Sequence, residues 1–210
     1  MLDDNNRAEI KKILEERMKD KVKILFFKGD TPECELCDQI EQLLKELSEI
    51  DNRIEYSILD YEKDGSKYNV NSAPVILFKN KPNIRFLGIP SGYEFSAFLE
   101  DIIHVSRNEV HLDLATAKKI AKINKNINIK VFVTPTCPYC PQAVHTAHMF
   151  AFVNPKIKSE MVEALEYREL ATKHNVMAVP KVVINDKVEF EGAVPENVFL
   201  DFILKATQNN

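Results

Sequence analysis

The chain has 210 residues, 45% hydrophobic and 29% charged, with a formal net charge of -4 and four cysteines. These are the proportions of an ordinary globular protein, long enough for one large domain or two of about 100 residues. The weakly acidic balance gives no electrostatic reason to expect nucleic acid or an anionic membrane as partner, and no apolar run reaches the ~18 residues of a membrane span. The start Met1-Leu2-Asp3-Asp4-Asn5-Asn6-Arg7 is polar and lacks the apolar core of a secretory signal, so the cytoplasm is the expected compartment.

From Asp4 to Asp20 the apolar residues Ile10, Ile13, Leu14 and Met18 recur at near-helical spacing, which predicts a helix ending near Lys21. A buried strand is predicted at Val22 to Phe27, then a helix beginning at Cys34 with Ile40, Leu43, Leu44 and Leu47 on one face. Ile54 to Leu59 reads as a strand and Glu62 to Asn69 as a short helix. Val75 to Phe78 and Ile84 to Leu87 read as a hairpin across Asn80-Lys81-Pro82-Asn83, closed by a helix over about Gly92 to His104. The same order follows again: a helix at Leu114 to Asn124, a strand at Ile129 to Val133, a helix from Cys137 to Val153, and a strand at Ile157 to Val162. A short helix at Tyr167 to His174 leads into a hairpin of Val182 to Ile184 with Val188 to Phe190, and a last helix spans Glu196 to Ala206. Each half reads αβαβαββα, an order whose natural packing is a mixed sheet flanked by helices.

The repetition extends to motifs. Thr31-Pro32-Glu33-Cys34-Glu35-Leu36-Cys37 returns 103 residues later as Thr134-Pro135-Thr136-Cys137-Pro138-Tyr139-Cys140, each time after an apolar run. Cys34 stands 40 residues before Pro74, and Cys137 stands 43 before Pro180. Both prolines open an apolar strand that is followed by Gly88 or Gly192. The chain is therefore one unit written twice, with the division expected near Val105 to His111: residues 1–107 and residues 108–210. That stretch has no Gly/Ser-rich linker character, so the halves are expected to be joined tightly.

All four cysteines lie in the two CxxC pairs. A disulfide across so short a loop removes little entropy from the unfolded chain, so its use lies in being made and broken. A sulfur at the start of a helix faces N–H groups that lack intrahelical partners, which stabilises the thiolate. Cys34 and Cys137 are accordingly the expected nucleophiles, and Cys37 and Cys140, one turn on, the expected resolving thiols. A cis proline just before a strand leaves the preceding backbone free to pair with an extended peptide, which makes Ala73, Pro74, Val179 and Pro180 candidate substrate-binding residues. Asp30, Glu33, Glu35, Asp38 and Glu41 surround the first pair, whereas residues 133–144 contain no acid, so the second pair is expected to be the more oxidising.

The element order resembles the thioredoxin and glutaredoxin superfamily, and the dipeptide within Cys137-Pro138-Tyr139-Cys140 is the one typical of glutaredoxins. The fused pair, the strings TPTCPYCP and AVPKVVIN, and Gly88-Ile89-Pro90-Ser91-Gly92 are similar to the protein disulfide oxidoreductases of hyperthermophiles. The resemblance covers essentially the whole chain. It implies an α/β protein of two tandem thioredoxin-like domains, each a mixed sheet flanked by helices, that exchanges disulfides with protein substrates. Where thioredoxins carry a buried aspartate six residues before the first cysteine, this chain has Lys28 and Val131. Where glutaredoxins bind glutathione through Gly-Gly-(Cys/Ser)-Asp, it has Gly192-Ala193-Val194-Pro195, so no cofactor is expected.

Two CxxC pairs are also the inventory of a four-cysteine zinc site, but Cys37 and Cys137 lie 100 residues apart and each pair occupies the same place in its own repeat, so no metal is expected on them. His145 and His148, one turn apart, read as ordinary surface or partly buried histidines. The rival activity is an electron relay between a flavoprotein reductase and a thiol peroxidase; a thioredoxin-reductase-like flavoprotein is the expected redox partner.

Overall fold

The computed structural model describes residues 2–208. Asp3 caps the first helix, α1 (Asp4–Arg17), by accepting the Asn6 N–H at 2.8 Å, and the chain then enters β1 (Val22–Lys28). A 3-10 turn over Pro32–Leu36 precedes α2 (Cys37–Ile50), whose buried Ile40, Leu43, Leu44 and Leu47 form the predicted stripe. β2 (Ile54–Asp60), the single-turn α3 (Tyr61–Asp64), β3 (Val75–Phe78), β4 (Lys81–Leu87) and α4 (Glu94–Arg107) complete the first half. The second half is α5 (Leu114–Ala121), β5 (Ile127–Val133), α6 (Cys140–Val153), β6 (Ile157–Glu163), α7 (Arg168–Lys173), β7 (Lys181–Ile184), β8 (Val188–Glu191) and α8 (Glu196–Gln208).

Two four-stranded mixed sheets, one per half, merge into a single eight-stranded sheet of order β2-β1-β3-β4-β6-β5-β7-β8. The seam is a parallel pairing of β4 with β6, from Ile84 opposite Ser159 to Leu87 opposite Val162. The halves thus join head to tail: the last strand of the first meets the strand that corresponds, in the second, to β2. Alternation along the strands feeds two apolar clusters. Ile24, Phe26, Ile76, Phe78, Phe86, Val131 and Val182 face α2, α4, α6 and α8, whereas Leu25, Phe27, Val75, Leu77, Phe132 and Val183 face Tyr167 and Ala171. Arg85, buried at the seam, donates to the carbonyls of Pro82, Asn69 and Tyr68 and so satisfies backbone groups that cannot reach water.

Three expectations need correction. The helices after the motifs begin at Cys37 and Cys140, not at Cys34 and Cys137. Cys34 has φ −86° and ψ 19° inside the 3-10 turn, and Pro138 disfavours the α region at Cys137, so in both copies the first cysteine caps a turn, its N–H bonded to the carbonyl of Thr31 or Thr134. In the first hairpin the turn comes earlier than predicted: β4 starts at Lys81, and a register shift at Leu77/Phe78 absorbs Pro82 within the strand. His148 is 0% exposed, with Nδ1 at 2.5 Å from Asp101 Oδ2 and its ring edge-on to Phe86, so it is a core residue rather than a surface one.

Candidate active site

β1 runs antiparallel to β3, β3 antiparallel to β4, β4 parallel to β6, and β6 parallel to β5, so β1 and β5 point the same way. Both CxxC motifs follow the C-terminal ends of these strands and therefore lie along the same edge of the joined sheet. Cys34 and Cys37 form a disulfide with Cα atoms 5.0 Å apart, and Cys137 and Cys140 form one with Cα atoms 5.5 Å apart. In each pair the second sulfur belongs to the first residue of the helix and is buried; of the first cysteines, Cys34 is partly exposed and Cys137 buried. The N-termini of α2 and α6 thus face the first cysteines across one turn, so the helix dipole still favours their thiolates although the helices start later.

Beside each disulfide sits the strand-opening proline, and both Ala73-Pro74 and Val179-Pro180 are cis. The two loops correspond closely. Gly88 N–H donates to the Pro74 carbonyl at 3.2 Å, and Gly192 N–H to the Pro180 carbonyl at 2.8 Å. Their surroundings differ. Ala73 is 0% exposed and its carbonyl accepts the Thr31 hydroxyl at 2.9 Å, so the carbonyl expected to be free is occupied. Pro74 in turn accepts the Tyr167 hydroxyl at 2.8 Å, a bond from the second half onto the first half's proline loop. Burial holds the Tyr167 phenol well above its ordinary range, so it donates at any physiological pH. The loop before Pro180 is open: Ala178 is exposed, Val179 is partly so, and Met177 is 90% exposed. Tyr139, between the second pair of cysteines, is 68% exposed.

A groove of about 530 Å3 separates the motifs, with Leu36 on one side, Pro135 on the other and Glu163 and Glu166 in its wall. Glu166 N–H donates to Glu163 at 2.7 Å and Ile89 N–H donates to Glu166 at 2.7 Å. Burial raises both carboxyls, Glu166 to about 7, with the charge of Glu163 adding to the effect. Gly88, at φ +99°, permits this approach, since a side chain there would collide with Glu163. At the groove's far end Tyr93 N–H donates to the Pro135 carbonyl at 3.0 Å, and Gly92, at φ +59°, leaves no room for a Cβ against that carbonyl. The first half therefore braces the loop that carries the second disulfide. Where a thioredoxin would place its buried aspartate, Lys28 pairs with Glu41 at 2.9 Å and Val131 is buried in the core.

Thr31, Glu163, Glu166 and Tyr167 were not singled out by sequence reasoning. The position of Glu163 corresponds to Asp60 of the first copy, which caps α3 in the open; only the seam buries the second copy's acid.

Helices packed on a mixed sheet, with a CxxC disulfide after a parallel strand and a cis proline before the next, define a thiol-disulfide oxidoreductase of thioredoxin fold. Residues 127–205 match the family model for a thioredoxin domain. The crystal structure of a protein disulfide oxidoreductase from Aeropyrum pernix superposes with a TM-score of 0.92 at 33% identity, covering 100% of this chain and 96% of that one. The chain belongs to the protein disulfide oxidoreductase family. The alkylhydroperoxide reductase AhpF of Enterococcus faecalis superposes with a TM-score of 0.86 at 24% identity over 96% of this chain and 99% of that one, a likeness of fold. Its namesake among the alkyl hydroperoxide reductase proteins of Staphylococcus aureus is 26% identical over 185 residues, 88% of this chain and 34% of its own length, so the chain spans about a third of that curated relative.

Proposed function

We propose that the chain forms, reduces or isomerises disulfides in protein substrates, using two redox units, residues 1–107 and 108–210, in the cytoplasm. Cys34 and Cys137 attack, Cys37 and Cys140 resolve, and Pro74 and Pro180 with Ala73 and Val179 border the substrate. The observation that carries this reading is the exposed apolar rim at the second disulfide, where Tyr139 and Met177 stand free beside an open proline loop. An extended polypeptide could cover such a rim, whereas a small thiol needs none. The second unit is then the one that meets protein substrates. The first, whose proline loop is held under Tyr167, exchanges with a thioredoxin-reductase-like flavoprotein or with the second unit.

A second reading, the electron relay from a flavoprotein reductase to a thiol peroxidase, draws support from the Staphylococcus aureus relative. Oxidative refolding of a scrambled disulfide protein separates the two: the favoured reading requires recovery of native protein, and the relay predicts peroxide turnover with reductase and peroxidase but no refolding. Role assignment is tested by trapping. Cys140→Ser and Cys37→Ser should accumulate mixed disulfides with a peptide thiol, and Cys137→Ser and Cys34→Ser should trap nothing at the altered site. If Cys140→Ser retains no more adduct than the unaltered protein, the roles are wrongly assigned.

A further inference from the structure

Four of the chain's five histidines, His104, His111, His145 and His148, gather where α4 of the first half lies against α6 of the second. Asp101 and His104 are three residues apart on α4, and His145 and His148 three apart on α6, so each pair projects from one face of its helix. One ligating atom each from Asp101, His104 and His145 lie within 4.8 Å of one another. The two rings face at a centroid distance of 5.2 Å. Nδ1 of His104 and Nδ1 of His145 are both buried and have no hydrogen-bond partner. Buried, unpartnered ring nitrogens on two adjacent imidazoles are costly unless something at the site answers them. Two further acids face the cluster: buried Glu94, whose oxygens are both unpartnered and which feels the charge of Asp101, and Glu100, which feels both His104 and His145 and is itself paired with Arg17.

We propose that Asp101, His104 and His145 form a divalent-metal site whose occupant is Zn2+, bound across the junction of the two halves. Two imidazoles and a carboxylate suit a borderline ion of this kind, whereas calcium and magnesium favour oxygen ligands throughout. His148 is the positioning residue: its Nδ1 meets Asp101 Oδ2 at 2.5 Å, and its ring is held by Phe86, so the carboxylate cannot turn away. The fourth position is left to water. Because α4 and α6 come from different repeats, the ion would clamp one redox unit to the other. The ligand set is absent from the duplicated pattern, since the other copies of these helices, α8 and α2, carry no histidine.

The site is separable from the cysteines by redox state. In the oxidised protein all four sulfurs are in disulfides and offer no thiolate, so any tight zinc site must lie elsewhere. Chelator-treated, fully oxidised protein should bind one equivalent of Zn2+ by titration calorimetry, and the ion should raise the thermal midpoint. Asp101→Asn and His145→Gln should each weaken binding at least tenfold, and His148→Gln should weaken it about 10- to 100-fold with the stoichiometry still at one. His174→Ala, at the remaining histidine, should leave affinity unchanged. His145 is only partly buried, so its replacement leaves a folded protein, verified by retained disulfide exchange. Failure of the oxidised protein to bind one equivalent, or unchanged affinity in the His104→Ala/His145→Gln double variant, overturns the proposal.

Discussion

The sharpest consequence of the two unlike sites is a difference in reduction potential. Asp30, Glu33, Glu35 and Asp38 lie within four residues of Cys34; Lys28, paired with Glu41 at 2.9 Å, also feels the charge of Asp38, which leaves Asp30, Glu33 and Glu35 as the free acids. At roughly 8 Å and an effective dielectric of about 60, each free acid costs a Cys34 thiolate about 0.7 kcal/mol, or about 2 kcal/mol for three. Screening over a Debye length of about 8 Å at physiological salt leaves about 0.8 kcal/mol of this. The second pair has no acid in residues 133–144; burial of Cys137, 7% exposed, opposes its thiolate, while the positive end of the α6 dipole one turn away favours it. A stabilised thiolate stabilises the reduced form, so the Cys137-Cys140 disulfide should be the more oxidising by about 20 mV at physiological salt and about 40 mV at low salt. The gap should close at pH values where both thiols are protonated and open as they ionise. Variants lacking one pair or the other, equilibrated against a redox buffer at two ionic strengths, measure it. A first site equal to or more oxidising than the second, or a potential unmoved by Asp30→Asn/Glu33→Gln/Glu35→Gln, would refute the electrostatic account.

Tyr167→Phe removes a buried bond to the Pro74 carbonyl and should lower stability by about 0.5–1.5 kcal/mol, read as a fall in the urea midpoint at unchanged slope; an unchanged midpoint would mean that the hydroxyl does not hold the first proline loop. Glu166, raised from 4.5 to about 7, binds a proton in the folded state that the unfolded chain gives up above about 4.5, so its contribution to stability falls as pH climbs to about 7 and is level beyond. Allowing for its partial exposure, Glu166→Gln should remove about 1–3 kcal/mol of that decline, and denaturation curves at pH 5 and 7.5 that keep the same difference in the variant would show that Glu166 is not responsible.

Most of the fold was legible because its determinants are local. The continuous apolar run Val22 to Phe27 reports on a strand buried on both faces, and the Ile40-Leu43-Leu44-Leu47 stripe on a helix that buries one, whatever lies beyond them. The CxxC pairs and prolines were visible through duplication, since a proline 40 residues after one pair and 43 after the other is improbable as accident. What stayed hidden was decided between elements. Residues 157–163 alternate as an edge strand would, with Lys158 and Glu160 at intervals, yet the strand lies at the centre of the joined sheet. There Glu160 is buried within 4.0 Å of Arg85, and Glu163 and Glu166 line the groove. No periodicity in one strand tells which edge of another sheet it will meet. His148 was misplaced for the same reason, because its partner Asp101 belongs to the other half.

The head-to-tail seam also explains how one duplicated unit yields two chemically distinct sites. Had the halves been related by a two-fold axis, each proline loop would see the same neighbour. Pairing β4 with β6 instead sets unlike strands together, so the residues following β6 fall beside the first site while no later strand supplies their equivalent beside the second. Tyr167 therefore covers Pro74, and Pro180 is left with Met177 and Tyr139 in the open. Sequence divergence then acts on an asymmetry that the topology already imposes: acids accumulate beside the covered proline loop and apolar residues beside the open one. Transplanting the acids, with Thr136→Glu and Pro138→Glu, would bring the two potentials together without altering which proline loop is open, because the first property is set by side chains and the second by strand order.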